Sequence, residues 1–158
     1  MSDKQPMTTS GKVALDAELK RLMSVERPDA IKAIEEARGH GDLSENADYD
    51  AAKERQAFIE SRIAEIQSKL ANAEVIDPST VKSNKIVFGA TVKMMDLETD
   101  KEVTYQIVGE DEADVKNGKI SVFSPIARSM IGKGAGDVIE FHSPKGEKEY
   151  EILELTYK

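Results

Sequence analysis

From Gly11 to about Glu74 apolar residues recur at helical spacing, and turn chemistry is confined to one place. Ala52, Gln56, Ile59, Ile63, Ile66, Leu70 and Ala73 step alternately by four and three, the seam of a coiled coil, and Tyr49 and Glu45 extend that stripe toward its N-terminal end. An earlier stripe carries Leu15, Leu19 and Leu22, then Ile31 and Ile34 in a shifted phase. Arg27-Pro28 falls at the shift, and a proline cannot donate to the preceding turn, so a kink or short break with a fresh helix start is expected there. The two segments, of about 29 and 32 residues, would span roughly 43 and 48 Å. Near-equal lengths with a short connector predict an antiparallel hairpin. The connector is Gly39-His40-Gly41-Asp42, whose glycines permit a left-handed helix end, and the tip falls near residues 39–46.

Residues 76–84 read as a linker, and beyond them the period changes to alternation. Strands are predicted at 90–97, 102–108, 119–122, 137–141 and 148–156, divided by Gly, Asp and Lys clusters. Ser124-Pro125 opening into Ile126 predicts one short helix with a serine cap and a proline in its first turn. The aromatics Phe88, Tyr105, Phe123, Phe141, Tyr150 and Tyr157 are expected to fill the core of this small unit. The fold class is therefore α+β, with a helical hairpin over residues 1–77 and a β-rich domain over 78–158.

Composition narrows the chemistry. A chain of 158 residues is too short for a multi-domain enzyme with its own cofactor fold. One third of it is charged, which suits long solvated helices better than one thick core. The net charge of −8 divides evenly between residues 1–75 and 76–158, so neither half has the basic excess of a general phosphate-binding surface. Without cysteine, and with His40 and His142 as its two histidines, the chain has no disulfide, thiolate nucleophile, iron–sulfur cluster or classical zinc site. The N-terminal residues lack the apolar stretch of a signal peptide and no run approaches a membrane span; a soluble cytoplasmic protein without membrane contact is expected.

The leading candidates for chemistry are Asp42 and Glu45 at the hairpin tip, followed by Asn46, Asp48 and Asp50. Carboxylates three apart near a helix start lie within reach of one another. Asp-x-x-Glu after a glycine also fits a capping box, with Asp42 accepting from the helix amides and Glu45 reaching back. Position favours chemistry, because a cap needs no arm of roughly 45 Å to carry it. Two carboxylates without histidine suit magnesium, which keeps most of its waters and is often held by one or two carboxylates plus substrate phosphates. They would have to complete a site whose other ligands belong to another macromolecule. Arg38 and Lys53 flank the tip and could meet phosphate, or could simply be solvated or paired. The remaining candidates are weaker: Gly132-Lys133-Gly134-Ala135-Gly136 follows a helix and precedes a strand, the reverse of a phosphate loop, His40 is alone in its loop, and Ser124 with distant His142 makes no convincing triad.

Four stretches together carry a resemblance: Gly-Asp-Leu-Ser-Glu-Asn-Ala-Asp-Tyr at 41–49, Ala-Asn-Ala-Glu-Val-Ile-Asp at 71–77, Ile-Val-Phe-Gly-Ala-Thr-Val at 86–92, and Ser-Pro-Ile-Ala-Arg at 124–128 with Ile-Gly-Lys at 131–133. From Met7 to Tyr157 the chain resembles the Gre family of bacterial transcript cleavage factors, and its GreA type in particular. The resemblance implies a coiled-coil hairpin followed by an FKBP-like domain that docks at the rim of the RNA polymerase secondary channel. The hairpin would enter the channel, where the tip acids help the polymerase's own active site hydrolyse the extruded RNA of a backtracked complex. Carried over by position, Asp42 and Glu45 match the tip acids that support the second Mg2+ and its attacking water. That ion belongs to the polymerase active site and is not expected to bind the isolated factor tightly. Arg38 and Lys53 match the basic patch toward the nascent RNA 3′ end, and Ser124 and Pro125 match the docking loop. Phe123 stands where members usually have a polar residue, and Lys53 where arginine is common, which gives up a bidentate phosphate contact. The factor is expected to be a monomer that stimulates cleavage without being an enzyme itself. The rival readings are a non-catalytic regulator that binds the same channel and a coiled-coil adaptor or prolyl isomerase with an FKBP-like domain.

Overall fold

The structure is a computed structural model that describes residues 4–39 and 46–158. The chain forms two compact units, one of residues 12–73 and one in which residues 4–11 join 74–158.

The first unit is a helical hairpin. Its first arm runs through α1 (Thr9–Arg21), a π-helical turn at Leu22–Glu26 and α2 (Arg27–Arg38); its second is α3 (Ala47–Ala71). The irregularity expected at Pro28 is a π-helical turn, after which a fresh α-helix starts at Arg27 with Pro28 in its first turn, and the helical backbone is not interrupted. Glu26 keeps helical dihedrals, and the Arg27 amide donates to the Leu22 carbonyl, five residues back. A proline ring crowds the carbonyl four residues before it, and one widened turn just ahead of Pro28 accommodates it without ending the helix. The same turn rotates the apolar stripe. Leu15 and Leu22 are buried seven apart, and the next buried residue, Ala30, follows eight later. Ala30, Ile34 and Ala37 therefore face the partner helix, while Ile31, expected on the seam, is 43% exposed.

On α3 the seam is Ala52, Ile59, Ile63 and Ile66, with Gln56 and Leu70 half-buried. The helix stops at Ala71, capped by Asn72, so Ala73 falls in a strand and not on the seam. Ion pairs beside the seam set the alignment of the arms. Arg62 holds Glu18 through two hydrogen bonds of 2.7 and 2.8 Å, Arg27 holds Glu60 through two of 2.8 Å, and Arg55 donates to Glu26 at 3.0 Å. Arg21 reaches the same Glu26 at 3.2 Å. Two-pronged guanidinium contacts fix orientation as well as distance, which suits them to holding an antiparallel register.

The second unit is β-rich. A short sheet pairs β1 (Gln5–Thr8) with β2 (Ala73–Ile76), and five further strands, β3 (Thr91–Asp96), β4 (Glu102–Val108), β5 (Lys119–Ser121), β6 (Val138–Ser143) and β7 (Gly146–Thr156), form a sheet in the order β5-β4-β3-β7-β6. Pairing is antiparallel except between β4 and β5. One helix, α4 (Pro125–Met130), packs on this sheet. The segment expected as a linker is structured: Ile76 ends β2, and Pro78 is buried in a one-turn helix capped by Asp77.

Residues 4–11, assigned from sequence to the hairpin half, are held inside the second unit. Met7 and Thr8 are 4% and 1% exposed. Glu112 accepts from the Thr8 amide at 3.0 Å, from the Thr8 hydroxyl and from the Gly109 amide at 3.0 Å, while the Thr8 Oγ1 accepts from the Gly11 amide at 3.1 Å. A Cβ on Gly11 would collide with the Glu112 carboxyl group, so glycine at this position lets Glu112 keep its place.

The core is aliphatic rather than aromatic. Alternation along β3 buries Val92 and Met94, and these join Ile86, Ile107, Ile120, Met130, Ile139 and Ile152. Of the six aromatics expected inside, Tyr150 alone is fully in the cluster; Phe88, Tyr105, Phe141 and Tyr157 border it, and Phe123 is 42% exposed. A tyrosine hydroxyl must keep a polar partner. Tyr157 meets that need at the margin, donating to the Lys85 carbonyl at 2.6 Å and accepting from the Val87 amide at 3.1 Å.

Candidate functional site at the hairpin end

The last turn of α2 and the first turn of α3 meet at one end of the hairpin. Arg38 lies in that last turn, where a cation complements the negative helix end; Asp48 and Asp50 lie in the first turn of α3, where anions complement the positive one. Asp48 and Asp50 thus have a reason in the helix, independent of any site. Asn46 is the N-cap of α3. Its backbone is extended, its Oδ1 accepts from the Tyr49 amide at 3.0 Å, and its Nδ2 donates to the Ala37 carbonyl on the other arm at 2.6 Å.

Arg38 and Lys53, singled out from sequence, line one groove on this end of the hairpin together with Ile31, Ile34, Glu35 and Gln56. Lys53 Nζ also sits 5.8 Å from the centre of the Tyr49 ring, a cation–π contact worth about 0.5–1 kcal/mol at an exposed site. The groove sets two exposed cations beside the Glu35 carboxylate and the side chains of Ile31 and Ile34. Ile31, Glu35 and Gln56 were not picked from sequence as groove residues; Ile31 joins it because the π-turn moves it off the seam. Asp42 and Glu45, and His40 with them, lie outside the described residues. No group of three or more His, Cys, Asp or Glu side chains suited to a metal ion occurs among the described residues.

Ser124 caps α4: its Oγ accepts from the Ala127 amide at 3.3 Å and donates to the Ser121 carbonyl at 2.7 Å. Pro125 follows as the first helical residue and is exposed, as is Phe123 beside it. The glycine loop at 132–136 is a structural turn. Four of its amides are committed: Gly132 to Ile86, Lys133 to Met130, Gly134 to the Asp137 carboxylate and Gly136 to Ile152. A phosphate would find those donors taken. His142 Nδ1 lies 3.5 Å from Glu147 across the β6–β7 pair. No helix is long and apolar enough to cross a membrane among the described residues.

Both units of the chain match known proteins. The model of the family "Transcription elongation factor, N-terminal" matches residues 5–75, and that of "Transcription elongation factor, GreA/GreB, C-term" matches residues 81–157. The chain is 61% identical over 153 residues to the transcription elongation factor GreA of Hyphomonas neptunium, covering 97% of this chain and 98% of that one. It is 59% identical over 155 residues to that of Maricaulis maris, covering 98% and 99%. Among solved structures, the GreA factor homolog 1 protein of Thermus thermophilus matches at 26% identity with a TM-score of 0.44, covering 96% of this chain and 98% of that one. Two family models that together span nearly the whole chain, on a helical hairpin followed by a β-rich domain, place this protein in the GreA/GreB family of transcription elongation factors.

Proposed function

We propose that this factor binds bacterial RNA polymerase in the cytoplasm, passes its hairpin through the secondary channel and stimulates the polymerase's Mg2+-dependent hydrolysis of backtracked RNA, releasing arrested elongation complexes. The observation that carries the reading is the cap of α3. Asn46 fills that position, which speaks against Asp42 and Glu45 as the box that starts this helix and so favours the chemical reading of the two acids.

In this account Asp42 and Glu45 hold and orient an attacking water beside the scissile phosphodiester. Carboxylate oxygens fit a hard, hydrated divalent ion, and two of them from one segment form half a site that the polymerase completes. Magnesium, when bound there, supplies Lewis-acid activation of that water and charge neutralisation. Arg38 and Lys53 face the phosphates of the displaced RNA 3′ segment, Arg38 with a planar fork and Lys53 as a point charge. The exposed Pro125, set rigidly by the Ser124 cap, docks at the channel rim with Phe123 beside it. The factor provides carboxylates and position, while the polymerase performs the cleavage.

The test is an arrested elongation complex with a labelled RNA 3′ end. Adding the factor is expected to release short 3′ fragments and restore elongation. A factor that binds the polymerase and releases none would instead be the non-catalytic channel regulator. Pro125→Asp is expected to weaken polymerase binding with hairpin helicity intact.

A further inference from the structure

The chain carries 30 acidic residues among its 158, yet residues 78–95 and residues 119–136 carry none. The fold joins these two stretches on the β-rich unit. The Ile86 amide donates to the Lys133 carbonyl at 2.7 Å, and the Gly132 amide donates to the Ile86 carbonyl at 2.8 Å. Ile86 is fully buried, so its neighbours Lys85 and Val87 are left on the outside. A Cβ on Gly134 would lie 3.9 Å from the Lys85 Nζ, which sets that ammonium beside the glycine turn that carries Lys133. Arg128 is exposed on α4, one turn after the exposed Pro125. Among the described residues none of these three cations stands within ion-pair distance of a carboxylate, whereas Lys93 and Lys148 of the same unit pair with Glu102 and Asp96. The next acid along the chain, Asp137, is engaged by the Gly134 amide at 2.8 Å. The sheet does not itself exclude acids from its surface, since Glu140, Glu147, Glu149 and Glu154 are exposed on β6 and β7.

We infer that this acid-free face docks on an acidic, partly apolar surface of a partner protein, which on the reading proposed above is RNA polymerase. Lys85, Arg128 and Lys133 supply the charge. Cations set close together without counter-charges repel one another, and that repulsion is relieved when a partner's carboxylates cover them. The same two stretches expose Val87, Ile131 and Phe123, at 37, 39 and 42%. These side chains decide between a protein and a nucleic acid. Phosphates would engage the cations alone, against the repulsion of a chain of net charge −8, whereas a protein surface can also bury the aliphatic groups. From Phe123 and Pro125 the face follows α4 past Arg128 to Ile131 and Lys133 beyond the helix end.

The experiment measures binding of the full-length factor to purified RNA polymerase free of nucleic acid, at about 50 and about 200 mM salt. Wild-type affinity is expected to fall severalfold as salt rises. Lys85→Glu with Lys133→Glu should keep the wild-type Tm, lose affinity about tenfold or more at low salt, and respond less to salt. Lys85→Gln with Lys133→Gln, which adds no repulsive charge, should lose about threefold and serves if the glutamate pair does not fold. Lys116→Glu with Lys145→Glu makes the same charge change on exposed lysines outside both stretches, and should bind within about twofold of wild type. Equal losses in the two glutamate pairs would overturn the inference, because net charge alone would then explain them. So would wild-type affinity and salt response in the glutamine pair, or variants that still bind polymerase but lose binding to a single-stranded RNA probe. A wild-type factor that does not bind polymerase would overturn the proposed function and this inference with it, whereas wild-type binding beside an unimpaired glutamate pair would overturn the inference alone.

Discussion

The hairpin and the β-rich unit solve the same burial problem with different means. The β-rich unit closes an aliphatic cluster in which Ile86, Val92, Met94, Ile107, Met130 and Ile152 are all fully buried. The hairpin has one narrow seam, with Ala30 and Ile66 its two fully enclosed residues, and adds a ladder of arginine–carboxylate contacts along its flanks. A two-helix arm has no room for a third layer, so ion pairs at its edges help hold a register that strand ladders and a closed core hold in the other unit. Lost volume should therefore weigh more in the β-rich unit and salt more in the hairpin, while acid reaches both, through Asp96 in the first and the ladder in the second.

The largest effect is expected from Met94→Ala, which empties a fully buried site in the β-rich unit. Truncations of this kind cost about 2–5 kcal/mol, and calorimetry should show a fall in Tm of roughly 5–15 °C. A fall under about 2 °C would mean that this core is looser than its burial implies.

Next in size is Glu112→Gln. The carboxylate accepts three hydrogen bonds, two of them from Thr8 that hold residues 4–11 in place, and hydrogen bonds to a charged group are worth about 1.5–3 kcal/mol. Urea unfolding should show a loss of about 2 kcal/mol. For the same reason a fragment beginning at residue 78 is expected to be less stable than the native unit, because it lacks β1, β2 and the bonds from Thr8 to Glu112. Equal stability of a 78–158 fragment in urea and of the unit within the full chain would show that the N-terminal strand contributes nothing.

The smallest effect belongs to acid. Glu18 is held below the ordinary glutamate value of 4.5, chiefly by its hydrogen bonds from Arg62, and Glu26 likewise by Arg55 and Arg21. A carboxyl depressed in the folded state contributes stability that is fully present above 4.5 and is lost as pH falls through the lower folded value. Helicity at elevated temperature should therefore drop below pH 4.5, by well under about 1 kcal/mol for the Glu18 pair because solvent still screens this half-buried contact. Arg62→Met should abolish much of that acid dependence, and an unchanged profile would remove the ladder from the account.

What could be read from the chain follows from how local each signal is. The strands of the large sheet fall within two residues of their predicted bounds, because period-two alternation between turn residues is written locally. The hairpin was legible for the same reason, through its seam. The π-turn was half legible: the phase shift near Pro28 is in the sequence, but whether a helix breaks or widens depends on the partner arm holding it. β1 escaped notice because it is four residues long and pairs with a strand nearly seventy residues later. The ladder escaped because its partners lie 29 to 44 residues apart. At the functional end, Arg38 and Lys53 were marked from sequence and do share a groove. Asn46 was seen only as a neighbour of the acids, since its bond to Ala37 exists only once the arms are paired.

The most direct test of the central claim is RNA cleavage in an arrested polymerase complex by the double variant Asp42→Asn with Glu45→Gln. Both replacements keep shape and hydrogen-bonding capacity while removing the charge that would hold a hydrated magnesium ion. The account predicts wild-type helicity and polymerase binding, loss of most stimulated cleavage, and partial recovery in excess magnesium. Full cleavage by the double variant would contradict it, and the tip carboxylates would have to be given a structural role.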